Sequence, residues 1–392
     1  MSKKILNVGM LGAGFMGRTH SNAYCQVNHF FNTPFQPVLK ACYGREEDIE
    51  ATKKFQEYWG YESIETDWKK LINRPDIDIV DVVAPNFLHK EMVLEAAKAG
   101  KKIICEKPLA MSYAEAQEMV AAVEKAGVPN MVSFNYRRVP AISLIKQVVD
   151  EGRIGRPFHY RALYLQDYTI STKVPAGGAA LWRLSANIAG SGVTGDLLAH
   201  SIDTAEWLNG PIARVCAYTE IFVKERVNQE TGEKVKITID DACMFLAVFA
   251  NGSIGTFESS RYARGRKNYN TLEINGELGA AAFNLEQPEY IEFFRYADPV
   301  TGQKIEDHLT GWQKILVTNG EHPYMKNYWV PGTTIGYEHT FINGLADFLL
   351  SLDKDTAAGA VHPVVSVRQA ARTQLVCDSV IKSAKDKTWV EI

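Results

Sequence analysis

The run Ile5 to Leu11 breaks without a spacer into Gly12-Ala13-Gly14-Phe15-Met16-Gly17. A short apolar run reads as a strand, and the residues after the glycines can continue as a helix. The spacing suits each glycine to a different role. Gly12 makes the tight turn, Gly14 lets a pyrophosphate approach the backbone, and Gly17 lets the helix pack closely. The turn that holds Phe15 and Met16 would then offer a phosphate free N–H groups and the positive end of the helix dipole. A plain βα turn is the alternative, and the place of the motif directly after the first strand argues against it.

The alternation continues. Pro37 to Cys42, Ile77 to Val83, Ile103 to Cys105 and Met131 to Phe134 are apolar, and Glu46 to Tyr58, Phe87 to Ala99 and Ala114 to Ala126 between them are helical in pattern. Strands separated by helices imply βαβ units and a doubly wound parallel sheet, a Rossmann dinucleotide-binding domain over 1–138. Beyond Arg138 long β-type runs follow one another: Phe158 to Leu165, Ala213 to Val223, Ala242 to Phe249, Ser253 to Tyr262 and Tyr269 to Ile274. They predict an α+β domain over 139–392 with a large, open, mostly antiparallel sheet, flanked by helices at Ala141 to Glu151, Gly195 to Leu208, Glu338 to Leu352 and Ser366 to Ala384. Thr301 to Gly336 reads as a long, weakly periodic segment of the kind that serves a site or an interface.

The second strand should end in an acid that reads the ribose, about 20 residues past the glycines, but it ends Ala41-Cys42-Tyr43-Gly44-Arg45-Glu46. Gly44-Arg45 could take a 2′-phosphate and Glu46 a ribose hydroxyl, so the residues leave NAD and NADP open. His20 reads as a helix-face or capping residue. Lys107 follows Ile103-Ile104-Cys105-Glu106 at the C-terminal end of a parallel strand, the edge where such sheets bind ligands, and Pro108 holds it extended. Asp196 and His200 stand four apart on a predicted helix, a spacing that lets a carboxylate orient an imidazole for proton abstraction. A solvated loop lysine and a helix-surface ion pair are the bland readings of these groups.

Composition removes other classes. Forty-three Lys+Arg against 46 Asp+Glu, a net charge of −3, gives no whole-chain attraction to nucleic acid or to an anionic membrane. No stretch approaches the roughly 20 apolar residues of a membrane span, and the N-terminal residues lack a cleavable-signal pattern. The six scattered cysteines form no C-x-x-C pair, so free thiols and a cytoplasmic protein are expected. No metal-ligand spacing surrounds the candidate residues, and no metal is expected.

The motifs Gly12 to Gly17, Ala84-Pro85-Asn86-Phe87-Leu88-His89, Glu106-Lys107-Pro108, Asn135-Tyr136-Arg137-Arg138 and Gly195-Asp196 through His200 and Asp203 follow one another in order from residue 12 to residue 203. The chain resembles the glucose–fructose oxidoreductase/inositol dehydrogenase (Gfo/Idh/MocA) family. Tyr164 to Asp167, Trp182-Arg183, Ala189 to Gly192 and Gly336-Tyr337 look most similar to its levoglucosan dehydrogenases and related sugar 3-dehydrogenases. The resemblance implies that Pro85, Asn86 and His89 border the nicotinamide pocket and that Glu106 and Lys107 lie beside the reacting carbon. It also implies Lys107, Asp196 and His200 as catalytic groups, and NAD(H) as the favoured cofactor with NADP(H) not excluded.

The expected activity is hydride transfer between a secondary hydroxyl of a levoglucosan-like sugar or other pyranoside, at C3, and nicotinamide. His200 would be the base, Lys107 the alkoxide partner and Asp196 the group that fixes the imidazole tautomer. Asn135, Tyr164, Gln166, Asp167, Trp182, Arg183, Asn268 and Tyr337 are the further substrate-binding candidates. An inositol dehydrogenase, a glycosidase that oxidises its sugar transiently and a non-catalytic nucleotide sensor are the alternatives. A free sheet face makes a homodimer or homotetramer the expected assembly.

Overall fold

The computed structural model describes residues 3–176, 182–184, 186–305 and 308–392. The chain forms two compact units, one of Met1–Arg138 with Ile335–Arg372 and the other of Val139–Thr334 with Thr373–Ile392.

In the first unit, six parallel strands, β1 (Lys4–Leu11), β2 (Phe35–Tyr43), β3 (Ser63–Glu65), β4 (Ile79–Val82), β5 (Lys102–Cys105) and β6 (Asn130–Val132), lie in the spatial order β3-β2-β1-β4-β5-β6. The order reverses between β1 and β4, and that switch point is where such sheets open a crevice at their C-terminal edge. Helices α1 (Phe15–Phe30), α2 (Ile49–Trp59), α3 (Trp68–Asn73), α4 (Asn86–Lys98) and α5 (Tyr113–Ala126) connect the strands. Leu6, Val8 and Met10 of β1 and all of β4 are buried, as strands covered on both faces must be. Local chemistry sets helix ends: the Ser112 hydroxyl accepts from the Glu115 N–H, and Gly127, at φ +64°, closes α5 in the left-handed conformation. β3 and α3 escape a reading by periodicity because each is too short to show a repeat.

The segment Ile335–Arg372 departs from the single expected boundary after 138, for it packs with the first unit. The helix Tyr337–Ser351 buries Phe341, Leu345 and Phe348. Arg138 Nη1 lies 3.2 Å from Asp347, and its Nη2 donates to the Pro363 carbonyl. The otherwise open edge of β6 is covered as well, since the Val132 N–H donates to the Val365 carbonyl at 2.7 Å. An unpaired strand edge is thereby satisfied by chain more than 200 residues downstream, which no local pattern announces.

The second unit is built on nine strands: β7 (Pro157–Leu165), β8 (Ile212–Glu220), β11 (Ala242–Phe249), β12 (Ile254–Ser260), β13 (Tyr269–Gly276), β14 (Gly279–Asn284), β15 (Tyr290–Arg295), β16 (Gln313–Leu316) and β17 (Val390–Glu391). Between β8 and β11 a two-stranded ribbon pairs β9 (Glu225–Val227) with β10 (Lys234–Lys236). The large sheet has the order β16-β15-β14-β13-β7-β12-β11-β8-β17 and is antiparallel except where β7 meets β12. Its inner face packs Tyr160, Phe245, Phe257 and Ile274, with the Phe245 and Phe257 rings stacked 4.3 Å apart. The helices Pro140–Asp150 and Ala199–Asn209 belong to this unit.

Candidate active site

The glycine loop has the geometry its spacing predicts. Gly12 sits at φ +135°, where a side chain is strained, and a Cβ on Gly17 would stand 2.2 Å from the Gly12 carbonyl oxygen. A Cβ on Gly14 would meet nothing within 4 Å. Loop and helix are therefore closed on each other at Gly12 and Gly17 and open at Gly14, the residue before the first turn of α1. That turn holds Phe15, Met16 and Gly17 and contains no acidic residue, so nothing offsets the positive end of the dipole. These residues fit the pyrophosphate of a dinucleotide. Phe15, exposed, stacks at 6.3 Å on Tyr337, the first residue of the helix Tyr337–Ser351.

At the end of β2, Gly44 is required by packing: a Cβ there would stand 1.9 Å from Thr52 Oγ1 on α2. Arg45 points out, and its guanidinium is held by Asp48 at 2.5 Å and by Glu47 at 3.0 Å. Those two acids answer the charge that would otherwise face a 2′-phosphate. Pro85 precedes α4, and Asn86, its first residue, is buried. The His89 ring is fully buried, with Nδ1 3.0 Å from the Pro108 carbonyl and Nε2 2.9 Å from the Ala84 carbonyl. It braces the two loops that leave β4 and β5, and burial lowers its pKa.

Beyond β5, the Glu106 carboxylate is buried and the Lys107 side chain is partly buried. Glu106 Oε2 accepts the backbone N–H of Lys107 at 3.1 Å, and its Oε1 lies 2.9 Å from His20 Nε2. On its other side, His20 Nδ1 lies 2.9 and 3.1 Å from the two oxygens of Asp81. Tyr24, one turn further along α1, donates to Asp81 at 3.0 Å. His20 is thus no helix-face residue, contrary to the reading from its local sequence. It joins an acid in β4 to the acid beside Lys107. Burial opposes its charge, but the charges and hydrogen bonds of Asp81 and Glu106 prevail and push its pKa from 6.5 up to about 10. One signal could have found this cluster: an aspartate inside the apolar strand Ile79-Val80-Asp81-Val82 needs a buried partner. Also in the first unit, Asn135 is buried and donates to Thr340 Oγ1 at 3.0 Å.

In the second unit, Asp196 lies in a π-helical turn, Thr194–Leu198, and His200 is the second residue of the helix that follows. The turn is wider than the α-helix expected over this stretch. Asp196 Oδ2 accepts from Arg261 Nη2 at 2.8 Å, and Oδ1 lies 3.5 Å from Arg183 Nε. Asp240 pins the turn's start by accepting the Gly192 and Thr194 N–H groups, both at 2.8 Å.

The His200 imidazole is buried, with the Tyr164 ring 6.1 Å away. Tyr164 donates to Asn268 Oδ1 at 2.7 Å, and Gln166 approaches the same oxygen at 3.4 Å. His200, Tyr164, Gln166 and Asn268 thus form one group. Asp167 is turned instead toward the loop at 264–267, where the Lys267 ammonium, the Gly265 N–H and the Arg264 charge hold its carboxyl below the usual range. The side chain of Trp182 lies outside the described residues. Arg261, Asp240 and His20 are the structural participants that the local sequence did not reveal.

Residues 6–134 match the model of an oxidoreductase family with an NAD-binding Rossmann fold, and residues 142–282 match the GFO/IDH/MocA C-terminal domain. The chain is 36% identical to levoglucosan dehydrogenase of Pseudarthrobacter phenanthrenivorans, over 99% of this chain and 98% of that protein. A solved structure of levoglucosan dehydrogenase in complex with NADH and levoglucosan superposes with a TM-score of 0.90, at 36% identity and 99% coverage of both chains. An oxidoreductase domain protein from Kribbella flavida gives 0.89, at 39% identity and the same coverage. With both domain models matched in order and the likeness running the length of the chain, this protein belongs to the Gfo/Idh/MocA family of NAD-binding oxidoreductases.

Proposed function

We propose that the protein oxidises a secondary hydroxyl of a pyranose-type sugar of the levoglucosan class, at C3, with NAD+ as oxidant. The observation that carries this reading is a likeness of 36% over 99% of the chain to a levoglucosan dehydrogenase, in a chain whose Lys107 backbone is anchored by Glu106. A nicotinamide dinucleotide, when bound, supplies the acceptor for the hydride leaving the carbinol carbon. The Gly12 to Gly17 loop would hold its phosphates, and Pro85 and Asn86, at the start of α4, would border its nicotinamide end. His200 takes the hydroxyl proton, the Lys107 ammonium donates to the developing alkoxide, and Asp196, steadied by Arg261, sets the imidazole tautomer. Tyr164, Gln166 and Asn268 form a polar cluster suited to sugar hydroxyls, with Arg183 beside Asp196.

The test is a panel of anhydrosugars, pyranosides and inositols with NAD+ and NADP+, read by the absorbance of the reduced nicotinamide. Lys107→Ala and His200→Ala should each lower turnover by about 10² or more while cofactor affinity holds. Near-wild-type turnover in either variant, or glycosidic cleavage without released NADH, would overturn the reading.

The assembly we propose is a homodimer or homotetramer formed through the outer face of the nine-stranded sheet. Tyr218, Met244, Leu246 and Ile254 are about half exposed there, with Met244 directly opposite Tyr218. Leu246→Glu should lower the mass seen by light scattering. No helix among the described residues is long and apolar enough to cross a membrane. We place the protein in the cytoplasm because all six cysteines are free thiols, which suits a reducing compartment.

A further inference from the structure

We propose that His20 is a positioning residue for the chemistry at Lys107: clamped between Asp81 and Glu106, it supplies the positive charge that lets Glu106 stay in place and hold the Lys107 backbone. The proposal rests on the dehydrogenase reading above for the role of Lys107, and on the first unit alone for its geometry.

Three acidic or basic groups are buried together away from solvent. Asp81 has no exposed surface, Glu106 is 4% exposed and His20 is 5% exposed. Both ring nitrogens of His20 face carboxylate oxygens, at 2.9 Å on either side. A carboxylate can only accept, so both contacts are satisfied together only when the ring carries both N–H groups and is a cation. Without that cation, two buried carboxylates would share one site, and like charges so placed force one of them to take up a proton or move.

Glu106 is the member that matters for Lys107. One oxygen is spent on His20 and the other on the Lys107 N–H at 3.1 Å. The chain Asp81, His20, Glu106, Lys107 therefore runs from the middle strand of the sheet, through the second turn of α1, to the residue whose ammonium is assigned to the alkoxide. A shift of the Glu106 carboxylate moves the peptide that aims that ammonium, and small misplacements of a reacting group are costly.

The other groups around the ring leave its charge to these two acids. Phe341 packs on it at 5.3 Å between centroids, and the Tyr24 hydroxyl is committed to Asp81. Tyr61 is bonded to Ser21, Cys105 carries a thiol that burial holds neutral, and Arg138, which lines the same cavity as His20, is paired with Asp347. Against the cost of burial, the two acids hold the imidazole pKa near 10, in keeping with the cation the geometry requires.

The test uses the full chain without cofactor, labelled with 15N at histidine and at lysine. The His20 ring should show two N–H groups up to at least about pH 9, and Asp81→Asn should lower that limit by a unit or more. In His20→Gln the Lys107 amide should exchange with solvent about tenfold faster or more. A His20 ring that titrates at the ordinary value, or an unchanged Lys107 exchange rate in a folded His20→Gln, overturns the proposal. These readings do not depend on turnover, so they stand even if no sugar is oxidised and the dehydrogenase reading fails. With a substrate in hand, His20→Gln should lower kcat by about tenfold or more with cofactor KM nearly unchanged. Adding Asp81→Asn should restore part of it, because one negative charge leaves with the positive one. A double variant no faster than His20→Gln would count against the charge role. Should His20→Gln fail to fold, the Asp81→Asn titration and its Lys107 exchange decide alone.

Discussion

The Nη2 of Arg261 donates to Oδ2 of Asp196 at 2.8 Å, from a guanidinium with no exposed surface. Sixty-five residues separate the two in sequence, and the contact anchors a candidate catalytic carboxylate to the end of a sheet strand. Breaking a buried pair from one side leaves the other charge uncompensated. Arg261→Met should therefore lower unfolding free energy by about 3 kcal/mol, read by urea denaturation. Turnover should fall with it, and Arg261→Lys should recover part of both.

The glycine loop separates folding from binding. Gly17→Val sets a side chain against the Gly12 carbonyl, so it should destabilise the first unit, read as a lower melting temperature. Gly14→Val has open space and an extended backbone, so melting should stay near wild type while NADH affinity falls by tenfold or so, about 1.4 kcal/mol, in calorimetry. Unchanged affinity in a folded Gly14→Val would place the pyrophosphate elsewhere.

Arg45 is answered by Glu47 and Asp48, so NAD should bind more tightly than NADP. These are surface pairs, worth roughly 0–1 kcal/mol, and their removal should leave stability almost unchanged. The double variant Glu47→Ala/Asp48→Ala should raise NADP affinity by severalfold and leave NAD affinity alone. Titration of each cofactor checks both halves.

His20 makes stability depend on pH at the alkaline side. Its folded pKa, about 10, stands above the ordinary 6.5, so the stabilisation is complete below about pH 6.5 and is lost as pH climbs through about 10. The full effect is on the order of a few kcal/mol. Urea unfolding from pH 6 to 10 should show wild type weakening across that window and His20→Gln changing much less.

What the sequence by itself determined is what depends on neighbours in the chain. The turn at Gly12 to Gly17, the alternation of strands and helices up to Val132, the strand-end place of Lys107 and the β-rich character after Arg138 all follow from local periodicity and backbone stereochemistry. Tertiary structure decided what depends on charges meeting across the fold. His20 finds Asp81 and Glu106 at separations of 61 and 86 residues. Asp196 accepts from Arg261 across 65 residues, a partner that its own neighbourhood in the sequence does not announce. Ile335–Arg372 joins the first unit because the β6 edge and Arg138 need partners that only distant chain can supply. A buried charge must be compensated wherever the chain brings the opposite charge, and a sequence states only that the charge is there.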